Sequence, residues 1–271
     1  MGWRFAAPGP DHAPDISQAD GGRMDEDALH RSPQSAARIA GALYLVIVFV
    51  GVFGQALVRD RLVVSGDAAA TAQNILSSAT MWRASVSAEL AYLALAVVVD
   101  VLLYRLLRPV DRTIALLAFA LNLVSIATEV VGRFMLLAPL VLLSDAPYLQ
   151  PIAAEAREAL AYAFLRLHDH GFALALIFFG TVCLAWGYLI RTSGFLPPVL
   201  GWLMQLAGAC YLANSFALLL APPLASTLFP AILLPAFVAE LGLALWLVFR
   251  GVDAVAWRAV ARSSRVEGVP A

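Results

Sequence analysis

"IALLAFALNLVSIATEVVGRFMLL", residues 114–137, decides how the rest of the chain is read. A helix rising about 1.5 Å per residue over this stretch crosses a hydrocarbon core of about 30 Å. Yet Asn122, Ser125, Glu129 and Arg133 interrupt it at spacings of three, four and four, which places them on one helical stripe. A charged side chain at span depth costs on the order of 3 kcal/mol on insertion scales, so such a stripe faces protein or water and not lipid. The stretch therefore predicts a membrane-spanning helix and also a bundle interior for it to face.

The composition agrees. The 271 residues are 61% apolar and 14% charged, and the mean hydropathy is positive, whereas soluble domains are nearer half apolar and a quarter charged. All 18 basic residues are Arg and the formal net charge is −1. They form no basic patch, so nucleic acid is not an expected partner. Cys183 and Cys210 lie inside apolar runs without disulfide or zinc spacing and read as small core hydrophobes.

Further spans are predicted at 37–58, 84–107, 168–190, 199–220 and 229–249, making six crossings with 114–137. With a cytoplasmic N-terminus, the inner segments hold Arg4, Arg23, Arg31, Arg38, Arg105, Arg108, Arg112, Arg191, Arg250, Arg258, Arg262 and Arg265. The outer segments hold Arg59, Arg61, Arg83, Arg157 and Arg166. This asymmetry follows the positive-inside rule and predicts both termini in the cytoplasm. The inner turns "RLLRPVDRT" and "RTSGFLPPVLG" are short, so consecutive spans pack as antiparallel neighbours.

The expected organisation is a disordered cytoplasmic tail over 1–35, a six-span helical domain over 36–251 and a cytoplasmic C-terminal tail over 252–271. The Pro-, Gly- and Asp-rich start reads as a tail and not a leader, with Met24 an alternative start. The fold class is all-α integral membrane: three antiparallel hairpins, N-in and C-in, with two short interfacial helices on the outer face. The first of these follows Asp67, a natural cap, with Ala68, Ala72, Ile75, Leu76 and Ala79 near one face. The second follows Pro147 and Pro151 and is expected to turn into the fourth span near Gly171. "AELAYLALAVVVDVLLYR" at 88–105 and "AELGLALWLVFR" at 239–250 form an internal echo, and both run from outside to inside.

Other polar groups join the stripe of the third span. Ser85, Glu89, Tyr92 and Asp100 share a face of the second; His168, Asp169 and His170 open the fourth; Asn214 lies in the fifth and Glu240 in the sixth. By span direction, Glu89, Asn122, Glu129, Arg133, His168, His170, Asn214 and Glu240 are predicted to line an outward-facing cavity. Asp100, nearer the cytoplasmic end beside Tyr104 and Arg105, is expected to snorkel or pair locally. Glu129 and Arg133 are one turn apart and form the expected anchor pair. Glu89, Glu240 and Asp169 remain as surplus acid, which argues for a site over mere helix glue. Residues two apart on a helix point about 200° from each other, so His168 and His170 do not readily share one ion, and no metal site is expected.

The segments "RIAGALYLV" (38–46), "GDAAATAQNI" (66–75), "LLYRLLRPVDRTIALLA" (102–118), "HDHGFALALIFFGTVCLAWGYLIRTSGFLPPVLG" (168–201) and "ELGLALWLVFRG" (240–251) resemble the bacterial membrane proteins grouped as domain of unknown function 4386. The resemblance implies a multi-span helical protein of the bacterial inner membrane and brings no activity. A second similarity joins Glu129-x-x-x-Arg133 and Phe164-x-x-x-His168 to the first two motifs of CAAX-type intramembrane glutamic proteases. There a Glu activates water and a His helps hold an oxyanion. The chain departs from that pattern, since Thr128 stands where a second Glu belongs and no His follows His170.

The expected function is binding, and translocation, of a small polar or cationic ligand or of protons in the cavity. Rival expectations are an intramembrane enzyme, metal- or carboxylate-dependent, and a non-catalytic assembly partner. Lipid is the expected surrounding; the cofactor is unassigned, and a homo-oligomer is left open.

Overall fold

The computed structural model describes residues 32–266, and the expected N-terminal tail lies outside them up to residue 31. Among the described residues all regular structure is helical, and six helices are long and apolar enough to cross a membrane. They are α1 (Pro33–Leu62), α3 (Ala79–Leu107), α4 (Arg112–Leu142), α5 (Ala154–Thr192), α6 (Pro198–Leu220) and the segment Ala231–Phe249, whose α-helical part is α8 (Leu234–Phe249). Three shorter helices are α2 (Ala68–Ser77), α7 (Pro222–Leu228) and α9 (Ala254–Val266). The protein is a multi-pass membrane protein.

Each span packs against its neighbours in sequence, and α8 returns to pack against α1, so the six form a closed ring. Three apolar clusters hold it, the smallest formed by Tyr92, Leu93 and Ile126. The largest joins Ala37, Ala40 and Tyr44 of α1, Val99 to Leu107 of α3, Ala115 and Ala118 of α4, Val182 to Ile190 of α5, Leu200 to Ala207 of α6 and Ala236 to Leu247 of α8. The second joins Val58 and Leu62, Ile75 of α2, Trp82 and Val86, Leu136 and Leu165. Trp82 is fully buried there, and its indole N–H donates to the Leu136 carbonyl at 2.7 Å. The lipid-facing sides carry exposed Phe49, Val131, Phe134, Trp202 and Phe249, as expected where the surrounding solvent is itself apolar.

α1 is not uniform. From Phe53 to Arg59 its backbone opens into a π-helical stretch, a local widening often found at functional sites. Asp67 caps α2 as expected, its carboxylate accepting from the Ala70 N–H at 2.9 Å. α2 lies on α5, and the Gly66 N–H donates to Tyr162 Oη at 2.8 Å.

The second expected interfacial helix does not stand apart: α5 runs unbroken from Ala154 to Thr192, with no turn at Gly171. One mid-helix glycine costs only about 1 kcal/mol relative to Ala, and packing offsets it, because Gly171 faces Gly132 where α4 and α5 approach. The described part of the C-terminal segment carries the helix α9. Asp253 caps α9 through the Val255 and Ala256 N–H groups, and the Trp257 indole donates to the Leu106 carbonyl at 2.9 Å. Gln34 clamps the same turn, donating to Arg250 O and accepting from the Val252 N–H, around a Gly251 whose φ of +67° suits glycine.

Candidate functional site

The polar groups of the spans form two assemblies facing one cavity. The first is a buried ion-pair network. Glu89 of α3 is completely buried. Its Oε1 accepts from Arg59 Nη1 at 2.5 Å and Ser85 Oγ at 3.1 Å, while its Oε2 lies 2.9 Å from Arg133 Nε. Arg133 Nη2 also donates to Glu129 Oε2 at 3.0 Å and to Tyr92 Oη at 2.6 Å, and the Tyr92 hydroxyl donates to Glu129 at 3.2 Å. Two Arg thus meet two Glu in a formally neutral set spanning α1, α3 and α4. Pairing of this kind offsets much of the cost of taking charge out of water.

The π-helical stretch of α1 carries both residues of that helix that meet Glu89. Arg59 lies at its end, and Gly54 lies against Glu89; a Cβ on Gly54 would fall 3.0 Å from Glu89 Cδ and 3.2 Å from Ser85 Oγ. Glycine leaves the room that the carboxylate fills. Reading the first span as ending at residue 58 put Arg59 in a loop, yet it supplies the second counter-charge. Its signal in the sequence is a basic residue one turn after Gln55, whose Oε1 accepts from Arg59 Nε at 2.9 Å.

The second assembly centres on Glu240 of α8, which accepts from the Tyr44 hydroxyl at 2.9 Å and from the Tyr211 hydroxyl. The sequence reading passed over both tyrosines because aromatic residues count as apolar in a span. Their signal is that a phenol inside a bilayer needs a partner for its O–H.

Between the assemblies lies a cavity of about 280 Å³. Glu129, Asn122, Tyr92, Tyr44, Tyr211 and Glu240 line it with the aromatic rings of Phe172, Phe179, Trp186 and Phe237. Among the described residues no Arg or His lines it. Phe179 forms an aromatic corner, 6.1 Å from Trp186 edge-on and 5.7 Å from Tyr211.

Of the eight residues expected to share one cavity, Asn122, Glu129 and Glu240 line it, and Glu89 and Arg133 stand behind Glu129 in the network. His168 is buried, but its Nδ1 faces the Gly132 carbonyl at 3.2 Å and it is not in the lining. His170 is on the exposed side of α5, with Nδ1 2.8 Å from Arg166 O. Asn214 is buried in α6 outside the cavity wall. Asp169 is exposed and pairs with Arg166 at 2.8 Å, which removes it from the surplus acid. Asp100 does not snorkel: it is 1% exposed and lies beside Asn122, with neither carboxylate oxygen in a well-formed hydrogen bond. Among the described residues no three His, Cys, Asp or Glu side chains are grouped so as to hold a metal ion.

A family model described as a domain of unknown function, DUF4386, matches residues 39–251. No curated protein and no solved structure matches the chain.

Proposed function

We propose, for a chain that belongs to the domain-of-unknown-function family DUF4386, that it binds and translocates a small polar or cationic ligand, or protons, through the cavity inside its helix ring. The observation that carries this reading is the pairing of Glu129 and Glu240. They line one chamber from α4 and α8, with no basic side chain among the described residues of its lining. Pockets that hold small molecules are typically mostly apolar with a few convergent polar groups, and this chamber fits that description. The ion-pair network fixes Glu129 on its wall, and Glu240 offers a second carboxylate held by neutral donors.

The arrangement in the membrane forms part of the proposal. The largest apolar cluster draws on the starts of α1, α4 and α6 and the ends of α3 and α5, and runs along α8 from Ala236 to Leu247, which supports three antiparallel hairpins. Arg38, Arg105, Arg108, Arg112, Arg191 and Arg250 flank that same end. By the positive-inside rule this supports a cytoplasmic side for that end and for both termini, and a bacterial inner membrane is part of the same proposal.

A thermal-shift screen in lipid nanodiscs tests the reading, using amines, quaternary ammonium ions, polyols, amino acids and simple salts on the parent and a Gly51→Phe variant. Gly51 lines the cavity, and a Cβ there meets nothing within 4 Å, so there is room to start a bulky side chain that narrows the chamber. The expected result is a ligand that stabilises the parent and not the variant. Equal shifts in both proteins for every compound overturn the proposal.

A further inference from the structure

We infer that the ligand class of this cavity is the organic monocation with an apolar or aromatic body, a substituted amine or quaternary ammonium ion; the inference rests on the cavity being a ligand site. Three observations lead to it.

The first is the charge balance. Glu89 and Glu129 are matched by Arg59 and Arg133 within the network. Glu240 has no cationic partner among the described residues; its two contacts are the neutral phenols of Tyr44 and Tyr211. The chamber therefore carries one uncompensated carboxylate in its wall, and a single positive charge restores neutrality. An anion would meet two carboxylates and no facing cation.

The second is the chemistry of the remaining wall. Tyr92, Phe172, Phe179, Trp186, Tyr211 and Phe237 surround the space, and the corner of Phe179, Trp186 and Tyr211 leads directly to Glu240 through the Tyr211 hydroxyl. Aromatic faces attract cations through their quadrupoles, most effectively where water is scarce, and recognition of quaternary ammonium groups is the commonest use of such surroundings.

The third is the shortage of oxygens. Small inorganic cations need several oxygen ligands to replace their hydration. Here both Glu240 oxygens already accept a phenol hydrogen bond and Glu129 Oε2 accepts from Arg133 and Tyr92, which leaves Glu129 Oε1 and the Asn122 amide as the carboxylate and amide oxygens of the lining not engaged in this way. An organic cation, which gives up little hydration, needs only a nearby negative charge and apolar contact, and both are present.

The test is calorimetric titration of the full chain in zwitterionic nanodiscs, with empty nanodiscs as reference. Four probes are compared: benzyltrimethylammonium, its uncharged carbon isostere neopentylbenzene, benzenesulfonate and sodium ion. Benzyltrimethylammonium is expected to bind saturably, one to one, at least tenfold tighter than neopentylbenzene. Glu240→Gln is expected to weaken it tenfold or more, Gly51→Phe to abolish it, and His170→Ala, on the exposed side of α5, to leave it unchanged.

Equal binding of the charged and uncharged isosteres, or tighter binding of the sulfonate or of sodium, overturns the organic-cation assignment while leaving a ligand-binding cavity in place. Absence of binding by all four probes overturns it as well, and the broader reading then stands or falls on the Gly51→Phe comparison of the thermal screen. The isostere pair needs no substitution, so it decides even if Glu240→Gln does not fold.

Discussion

Arg133 Nε lies 2.9 Å from Glu89 Oε2, which ties α4 to α3 inside the helix ring, and the same guanidinium reaches Glu129 one turn back on its own helix at 3.0 Å. With 2% of Arg133 and none of Glu89 exposed, neither charge can turn to water if the other is removed. Removing one partner of such a buried pair costs about 3–5 kcal/mol, because a desolvated charge is left uncompensated. Arg133→Met is therefore expected to lose most of its folded population in mild detergent, and Arg133→Met combined with Glu129→Gln to recover part of it. Thermal unfolding of the three proteins checks this; equal stability of parent and single variant would show that the network is not under this constraint.

Two glycines of α1, three residues apart, are expected to behave in opposite ways. A Cβ at Gly54 would run into the Glu89 carboxyl group and Ser85, whereas one at Gly51 meets open space. Gly54→Ala should push Glu89 from Arg59 and lower stability by about 1–3 kcal/mol, the usual range for overpacking. Gly51→Ala should be neutral or slightly stabilising, since Ala is the better helix former. Chemical unfolding of the two variants side by side decides, and loss of stability in both would point to backbone flexibility in place of space.

Much of the fold was legible because its signal is periodic. Asn122, Ser125, Glu129 and Arg133 announced an inward face through spacing alone, and the apolar runs announced six spans. What stayed hidden depends on local departures from that regularity. Arg59 follows a π-helical stretch, where 3.6-residue bookkeeping no longer gives the facing direction and the apolar window has already ended. α5 reads as broken at His168 to Gly171 because polar residues and a glycine resemble a turn, yet packing on α4 carries the helix through. Tyr44 and Tyr211 contribute hydroxyls that a hydropathy count does not see. That Glu129 and Glu240 face one chamber was already expected from the direction of their spans, whereas the closing of α8 on α1 that completes its wall is a long-range fact that no local pattern encodes.

Asp100 yields a prediction of opposite sign to Arg133. It is buried beside Asn122 without an ion-pair partner among the described residues, and a buried carboxylate lacking a counter-charge is costly. Asp100→Asn keeps the shape and removes the charge, so it should raise the unfolding midpoint, by about 2–4 °C for each 1 kcal/mol gained in a chain of this size. A fall in the midpoint would mean that the carboxylate holds a partner in the membrane that matters for folding.

The proposed orientation can be read by chemical labelling, since Cys183 is buried and Cys210 only partly accessible. A cysteine replacing exposed Ser77 of α2 should react with a membrane-impermeant maleimide on intact cells with the outer membrane opened. One replacing exposed Ser263 of α9 should react only after the inner membrane is permeabilised. The reverse pattern would invert the topology, and equal labelling of both before permeabilisation would place α9 on the outer side with α2 and overturn the odd number of crossings between them.

The crossing of α5 and α6 is built on backbone contact. A Cβ at Gly187 would sit 2.6 Å from the Gly201 carbonyl, and one at Gly201 would sit 2.8 Å from Arg191 N and 2.9 Å from its Cβ. Because the obstructing atoms are mainly backbone, no rotamer change relieves them and the helices must separate. Small residues let spans approach where lipid offers no hydrophobic drive for association. Gly201→Ala should therefore cost more stability than Ala substitution at Gly242, where a Cβ meets nothing within 4 Å. The difference should be about 1–3 kcal/mol, in the range of overpacked cores. Unfolding titrations in mixed micelles measure it, and indistinguishable midpoints for the two variants would show that the α5–α6 crossing yields easily and does not set the ring.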